Sequence, residues 1–376
     1  MKRSEVGGSG MKGAVLVAVA VLIVWGVIAF LGKGRDPIGR ISKADKRFQV
    51  ALITNGPLDD WGFNYSHARA IESAQKSLNN RINAVAIGNV PETGEAERIM
   101  RRLIENGANL IIAASFGYQD TTVKLASEFP GVKFLQAWGF KPAKNLGTFS
   151  AKMYEAWYAM GVLAGRMSKS GKLGVVAAHP IPPMKWQMNA YALGAKSVNP
   201  KTVVSVVFIN HWFDPGLASD AANTLVDQGC DVLCGILDNS VAVAQTARKR
   251  GMYLVGHNTD LSKFAPDSCL GGTEWLWGNL YTDAIRAMLD GKWDGMAGDL
   301  NGGFKEGYVG VTAFGGMVPE PVRKQVEKTV EQIKKGTLAV YKGPIKSNDG
   351  KIAVPSGKVL SHGEIMGMGW MVEGIK

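Results

Sequence analysis

Residues 51–75 read ALITNGPLDDWGFNYSHARAIESAQ, and the fold prediction rests first on this stretch. A short apolar run ends at Thr54 and is followed by turn residues and by a group of acidic, aromatic and amide side chains. Apolar residues at helical spacing begin directly afterwards. The stretch therefore predicts a buried strand, a polar and aromatic turn, and a helix in immediate succession.

The same succession recurs along the chain. Short strand-like runs alternate with helical patterns, first over residues 47–138 and again over residues 172–258. Strands flanked by short helices at this interval favour βαβ units and a parallel sheet. Two such sets side by side predict an α/β protein of two lobes. In residues 343–361 an Asn-Asp-Gly turn between short β-like runs predicts a hairpin.

The N-terminal region differs from the rest of the chain. Residues 1–12 are basic, residues 13–32 read GAVLVAVAVLIVWGVIAFLG without a charge, and residues 33–46 form a polar linker. A helix of this length, at about 1.5 Å per residue, can cross the apolar core of a bilayer. Small residues near Ala29 also allow signal-peptidase cleavage. The segment is therefore either a transmembrane anchor or a signal segment, and either one predicts that the remainder is exported.

Charge and composition narrow the class of protein. Apolar residues make up 46% of the chain and charged residues 20%, which is typical of a globular protein. The net charge is +11, but no long block of lysine and arginine occurs, so a nucleic-acid partner is not predicted. Three cysteines are too few for a disulfide framework, and Cys230 and Cys234 have the surroundings of small core residues.

The sequence offers no support for catalysis or for a cofactor. His179, His211 and His257 fall on three separate loops without the spacing of a metal site. Neither a Gly-x-Ser-x-Gly motif nor a Walker motif is present. We therefore expect a protein that is not an enzyme and that holds no metal.

Candidate binding residues follow from the geometry of parallel sheets, because ligands bind on the loops beyond the carboxyl ends of the strands. Aromatic and hydrogen-bonding side chains collect at these positions in both predicted lobes, which is typical of a cleft for a flat, polar small molecule. The alternative for the acidic and amide residues is helix capping. Tyr154 and Glu155 fit either a hinge or the site. The candidates are Asp60, Trp61, Phe63, Asn64, Phe116, Tyr118, Trp186, Trp212, Phe213, Asp238, Asn239, Asn258 and Asp260.

Several motifs together resemble the basic membrane lipoprotein (BMP) family, which comprises substrate-binding proteins of bacterial ABC importers and includes purine nucleoside receptors. The similarity runs over roughly residues 47–320. The closing SHGEIMGMGWMVEGIK also resembles a branch of that family. The motifs are DDWGFN (59–64), ASFGYQDTTVKLASEFPGVKF (114–134), KLGVVAAHPIPPMKWQMNAYALGAKSVNP (172–200), FDPGLASDAANTLVDQGCDVLCG (213–235) and YLVGHNTD (253–260).

The resemblance implies a type I periplasmic-binding-protein fold, in which two α/β lobes are joined by three crossing segments and close on the ligand. The first lobe would comprise residues 47–148 with about 268–312. The second would comprise residues 149–267 with about 313–376. The transmembrane or signal segment would precede both lobes.

The resemblance also assigns roles to matching positions. Phe63 would stack on a purine base beside Asn64, with further rings from Trp186 and from Trp212 or Phe213. The family's acid that grips the ribose hydroxyls falls on Asn258, and a family lysine falls near Trp275, next to Glu274. Both positions depart from the family, so the ribose-reading half of the site is altered. We therefore expect a free purine base, an oxopurine or another flat heterocycle, with a nucleoside as the alternative.

The resulting functional expectation is an extracytoplasmic solute-binding protein that delivers a purine-like ligand to an ABC permease. Its location would be the periplasm or the outer face of the plasma membrane. A membrane-anchored sensor that uses the same ligand trap is the alternative.

Overall fold

The computed structural model describes residues 37–79 and 81–376. The first part of the chain alternates strands with helices, as the sequence predicts, and adds one further strand, LGTFSA, that the pattern does not reveal. These elements are β1 (Phe48–Ile53), α1 (Phe63–Ser77), β2 (Ile82–Ile87), α2 (Gly94–Glu105), β3 (Leu110–Ala113), α3 (Gln119–Glu128), β4 (Lys133–Ala137) and β5 (Leu146–Ala151).

The second part repeats this alternation, beginning with a long helix. Its elements are α4 (Met153–Met167), β6 (Lys172–Ala177), α5 (Pro182–Val198), β7 (Val203–Phe208), α6 (Pro215–Asp227), β8 (Val232–Ile236), α7 (Val241–Arg250), β9 (Tyr253–Gly256) and β10 (Cys269–Trp275).

The C-terminal part contributes to both lobes and then adds a tail. Its elements are α8 (Trp277–Leu289), β11 (Asp299–Gly302), β12 (Val309–Val311), α9 (Glu320–Lys334), β13 (Ile345–Lys346), β14 (Ile352–Val354) and α10 (His362–Met366). The antiparallel pairing of β13 with β14 confirms the predicted hairpin.

Two six-stranded sheets form the two lobes. The first has the order β11-β5-β4-β3-β1-β2, and the second has the order β12-β10-β9-β8-β6-β7. Every pair in the first sheet is parallel, and in the second only β10 and β12 are antiparallel. The predicted α/β class with two parallel-sheet lobes is thus confirmed.

Three segments carry the chain between the lobes. They follow β5, β10 and β11 and occupy residues 151–153, 275–277 and 302–309. Two of the crossings are tied together, because the Lys152 N–H donates to the Gly302 carbonyl at 2.7 Å. These crossings form the hinge.

The expected lobe boundaries need one correction. Residues 268–312 were assigned to the first lobe, but β10 pairs with β9 and β12 pairs with β10, so both strands belong to the second sheet. Only α8 and β11 from this range join the first lobe, where α8 packs on α1 and β11 pairs with β5. The crossing after β10 therefore lies near residue 276. The sequence does not show the position of this crossing, because the glycine-rich pattern of β10 does not indicate which strand β10 pairs with.

Close helix packing stabilises the second lobe. Helices α4 and α5 lie against each other at Gly161 and Gly194, where an added Cβ would overlap backbone atoms of the facing helix. Trp157 and Tyr191 fill the adjacent core and are fully buried.

Within residues 37–79 and 81–376, no helix has the length and apolar character needed to span a membrane. The predicted anchor or signal segment at residues 13–32 lies outside the described residues.

Candidate functional site

The loops at the carboxyl ends of the two sheets meet across the lobes. The Phe63 N–H, after β1, donates to the Asp238 carbonyl, after β8, at 3.1 Å. The Asn239 side-chain amide donates back to the Asp60 carbonyl. Gly62 lies so close to Asp238 that an added Cβ would overlap the Asp238 carbonyl oxygen. The structure is therefore the closed form of the two lobes.

Asp60 organises the loop of the first lobe. Its carboxylate accepts hydrogen bonds from the backbone N–H groups of Gly62 at 2.8 Å and Tyr65 at 2.9 Å, and from the Asn64 side-chain amide at 2.9 Å. Burial raises the pKa of Asp60, although these hydrogen bonds pull the pKa down. Asp60 and Asn64 are both buried and hold the turn that carries Trp61 and Phe63.

Trp61 is held from both lobes. Its backbone is in the left-handed region, with φ of 54°, and its ring stacks on Tyr65 at 4.6 Å between centroids. From the second lobe, the Lys263 ammonium lies 2.8 Å from the Trp61 ring centroid, and Phe264 contacts the ring edge-to-face at 5.5 Å. Cation–π attraction of this kind contributes about 0.5–2 kcal/mol. Trp61 therefore stabilises closure.

A cluster of rings fills the space between these loops and the hinge. Trp275 contacts Phe63 edge-to-face at 6.1 Å and Trp138 at 5.9 Å, both from the first lobe. It also stacks on Trp277 at 5.0 Å, and Trp277 in turn stacks on His67 at 5.2 Å. Phe63 and Trp138 are only partly buried, whereas Trp275 and Trp277 are buried. The cluster therefore brings flat apolar rings together from both lobes.

Asn258 and Trp275, the positions for which the resemblance implies an acid and a nearby lysine, are bonded to each other. The Trp275 indole N–H donates to Asn258 Oδ1 at 2.8 Å. The Asn258 amide donates to the carbonyls of Leu237 at 2.8 Å and Asp238 at 3.2 Å. Asn258 is buried, with a left-handed backbone (φ 71°). The Asn258 amide group therefore uses its hydrogen bonds within the protein. The carboxylate of an acid at this position would face two carbonyl oxygens.

This geometry makes Asn258→Asp strongly destabilising despite the equal size of the side chains. A carboxylate would lose both donated hydrogen bonds and repel two buried carbonyls, so we expect the free energy of unfolding to fall by about 2–3 kcal/mol at neutral pH. The control is Asn210→Asp, since Asn210 is also left-handed but exposed. Its effect should stay within about 0.5 kcal/mol. Chemical denaturation of both variants measures the difference, and equal effects would contradict this role of Asn258.

Asp238 is the electrostatically sensitive group of the interface. Burial, reinforced by the carboxylates of Asp60 and Glu92, raises the pKa of Asp238 to about 7. Asp60 and Glu92 belong to the first lobe and Asp238 to the second, so closure brings the three carboxylates together. The separated lobes would leave the pKa of Asp238 nearer its ordinary value. Closure should therefore take up a proton at pH values between the two pKa values.

A pH dependence of ligand binding follows from this proton uptake. Because closure raises the pKa, the closed form gains stability as the pH falls below about 7, and this gain is fully lost above that pH. We expect the affinity of the wild type, divided by that of Asp238→Asn, to rise by up to about tenfold between pH 8 and pH 6. Isothermal titration calorimetry at both pH values tests this. A ratio independent of pH would remove Asp238 from the closure equilibrium.

Two predicted site residues lie in the cores of the lobes instead. Tyr118 is fully buried, and its hydroxyl donates to the Val90 carbonyl at 2.5 Å. Trp186, in the second turn of α5, is fully buried and contacts Tyr154 edge-to-face at 5.9 Å. The prediction that Tyr118 and Trp186 contact the ligand is therefore corrected. The helical turns after β3 and β6 direct both rings into the cores of the lobes.

Other predicted residues lie on the rims or in local turns. Trp212 is 41% exposed and contacts His179, and its carbonyl accepts from the Asp238 N–H at 3.1 Å. Exposed Asp260 accepts from the Ser262 N–H in a local turn. Glu274, partly buried on β10, has a pKa raised by burial. The exposed rings of Phe116 and Phe213 lie on the rims of the first and second lobe respectively.

Sequence analysis missed Trp138, His67 and Trp277. Trp138 directly follows β4, so the rule that selected the other candidates also covers it. His67 lies one turn into α1, and its Nδ1 lies 2.5 Å from the Tyr281 hydroxyl. Burial lowers the pKa of His67 to about 3, so the ring is neutral at physiological pH.

The described residues include no group of three or more histidine, cysteine and carboxylate side chains placed to hold a metal ion. Cys230, Cys234 and Cys269 are free and buried. His257 bonds to the Thr273 hydroxyl at 2.7 Å, which is a structural role.

Two lobes of parallel sheet, a hinge of three crossings and a ring-lined interface at the strand ends define a two-lobed solute-binding protein. The family model of PnrA-like ABC transporter substrate-binding proteins (Bmp) matches residues 48–343. The chain belongs to this family, as the sequence motifs suggest.

Relatives and a solved structure agree with this assignment. A purine-binding protein of Brucella abortus (strain 2308) is 38% identical over 338 residues, covering 90% of this chain and 95% of the relative. An ABC transporter protein of Haloferax volcanii, named for glucose binding, is 31% identical over 78% of this chain and 74% of its own length. The solute-binding protein of Conexibacter woesei shares the fold, with a TM-score of 0.68, 19% identity, and coverage of 77% of this chain and 97% of that one.

Proposed function

We propose that this chain captures a purine-like ligand between its two lobes and delivers it to a membrane permease of an ABC importer. The ligand would be a free base, an oxopurine or a nucleoside. The observation that carries the proposal is the ring cluster of Phe63, Trp138 and Trp275, which joins rings from both lobes at the carboxyl ends of the strands. The purine-binding relative from Brucella abortus supports the same ligand class.

The proposed mechanism is a hinged trap. The open form exposes the loops of Phe63 and Trp275, and a flat ligand replaces their edge-to-face contacts by stacking on the rings. Stacking contributes about 0.5–1.5 kcal/mol per aromatic pair beyond area burial. The interlobe contacts of Trp61 and Gly62 then form, and the ligand-bound closed population increases. The closed surface is presented to the permease.

The hydrogen bonds that Asn258 makes within the protein favour a ligand with little or no sugar. In the family this position is an acid that grips ribose hydroxyls, but here its amide bonds to Leu237, Asp238 and Trp275. No free carboxylate is left at that position to accept hydroxyl protons, and Trp275 adds a second flat surface. We therefore rank free bases and oxopurines above nucleosides. Polar groups around Asp238 would select among ligands by hydrogen bonding to the edge of the ligand ring. A polar group of the ligand that is buried without a partner costs about 1–3 kcal/mol.

A thermal-shift screen of the full-length chain tests the ligand class. Intrinsic tryptophan fluorescence in mild detergent would follow melting with adenine, guanine, hypoxanthine, urate, inosine and D-glucose. Ligands that bind the native state raise the melting temperature by mass action. We expect the largest rise from a free base or oxopurine, a smaller one from inosine and none from glucose. A response to glucose alone, or to no purine, would overturn the purine proposal.

The proposed location is extracytoplasmic, next to the permease. Segment 13–32 would deliver the chain there, either as a retained anchor or as a signal removed after export. N-terminal sequencing of the exported protein tests this, since a start at Met1 means a tether and a start near Phe30 means a free carrier.

A further inference from the structure

A second cavity lies at the hinge, outside the ring cluster. Its volume is about 480 Å³, and it is lined by residues of two crossings, by the end of α9 and by the C-terminal tail. The lining side chains relevant to its chemistry are Lys152, Tyr154, Glu155, Lys305, Lys334 and Tyr341. None of the interlobe contacts of Trp61, Phe63 or Asp238 involves this cavity.

The charge of the cavity is mainly positive. Four lysines line it, and of these only Lys335 forms an ion pair within the described part of the chain, with Glu331 at 3.9 Å. The two lining carboxylates are engaged by backbone: Glu155 accepts from the Phe304 N–H and Glu306 from the Gly303 N–H, each at 2.8 Å. The ammonium groups of Lys305 and Lys334 are therefore available to an anion, whereas that of Lys152 also attracts the Glu155 carboxylate.

Tyr154 supplies an unused hydrogen-bond donor. The residue is 8% exposed and lines the cavity, but its hydroxyl has no hydrogen-bond partner among the residues that the structure describes. By contrast, the Tyr341 hydroxyl donates to the Trp186 carbonyl. The Tyr154 hydroxyl oxygen is not fully buried, so it meets the water of the cavity and can donate a hydrogen bond to a bound group.

We infer that the hinge cavity binds a small oxyanion, a phosphate or carboxylate group, through Lys152, Lys305 and Lys334 with the Tyr154 hydroxyl. Lys152 and Lys305 lie on two of the crossings, whereas Lys334 ends a helix that packs on α4 of the second lobe. Helices α4 and α9 are also joined by the bond from Arg166 Nε to Gln325 Oε1 at 2.8 Å. A bound oxyanion would connect the crossings to the second lobe. This site does not depend on the identity of the ligand between the lobes.

Equilibrium dialysis of the full-length chain against radiolabelled inorganic phosphate and, separately, citrate tests the site. The test variant is Lys152→Gln combined with Lys305→Gln, which leaves the backbone bond from Lys152 to Gly302 in place. The control is Lys324→Gln, because Lys324 is an exposed lysine on α9 paired with Glu320. We expect one saturable site, at least tenfold weaker in the double variant and within twofold of wild type in the control. Tyr154→Phe should weaken binding severalfold without lowering the melting temperature.

The affinities for phosphate and citrate are compared, and the anion that binds more tightly shows whether the site prefers a phosphate or a carboxylate group. Absence of saturable binding for both anions would overturn the proposal. Equal losses in the double variant and in Lys324→Gln would also overturn it, because they would show attraction to the basic surface rather than a site. Purine binding in the same preparations is scored separately, so failure of one proposal leaves the other distinguishable.

Discussion

Gly62→Ala is expected to weaken ligand binding by about 100-fold or more while both lobes stay folded. An added Cβ would overlap the Asp238 carbonyl oxygen and lie 3.3 Å from the Asn239 nitrogen, both in the opposite lobe. Both atoms that the Cβ would meet belong to the opposite lobe, so the steric cost falls on closure. Overpacking against rigid backbone costs about 3 kcal/mol, which corresponds to about 100-fold in affinity. Titration calorimetry with the purine identified by the screen measures the loss.

Gly94→Ala is the matched control, because an added Cβ there meets no atom within 4 Å at the start of α2. Both variants should melt within a few degrees of the wild type without ligand. Wild-type affinity in Gly62→Ala would mean that the ligand does not require the observed contact between the lobes.

Phe63→Ala is expected to weaken ligand binding by at least about 30-fold, the effect of losing a central aromatic contact worth about 2 kcal/mol. Phe63 contacts Trp275 of the opposite lobe and His67 of its own helix, so its ring joins the two faces of the cleft. Phe63→Leu should show a smaller loss, because it retains apolar area and removes only stacking. Equilibrium binding of the same purine measures all variants.

Phe116→Ala provides the comparison for Phe63. Phe116 lies on the rim of the same lobe and is 59% exposed, and among the described residues its ring stacks on Phe140 alone, at 6.2 Å. We expect its affinity to equal that of the wild type within twofold. If Phe116→Ala weakened binding as much as Phe63→Ala, the ligand would lie at the rim instead of among the rings around Trp275.

Much of the fold could be predicted because its signals are local. Strands β1 to β4 and β6 to β9 are short apolar runs between helical patterns, and these signals do not depend on distant residues. Strand β5, with the sequence LGTFSA, and the glycine-rich β10 carry weaker patterns and were not predicted. Their positions are determined by pairing with strands far away in the chain, which no local pattern encodes.

The candidate site could be predicted only in outline. The rule that ligands meet the carboxyl ends of parallel strands placed Asp60, Phe63 and Asp238 on the loops that the structure brings together. It could not decide side-chain direction, so Tyr118 and Trp186 were expected at the cleft, whereas the structure buries both. The hydrogen bond between Asn258 and Trp275 could not be predicted either. The sequence shows that both residues differ from what the resemblance implies, but it does not show that they contact each other.

We expect a purine to close the two lobes on each other. Spin labels at Asp120→Cys, an exposed position on α3 of the first lobe, and at Asp220→Cys, an exposed position on α6 of the second, would report the distance between the lobes by double electron–electron resonance. The native cysteines are buried and should not react. Addition of the free base that most raises the melting temperature should shift a broad distance distribution to one narrow distance, and Gly62→Ala should prevent the shift. A distribution unchanged by every purine in the panel would contradict the claim.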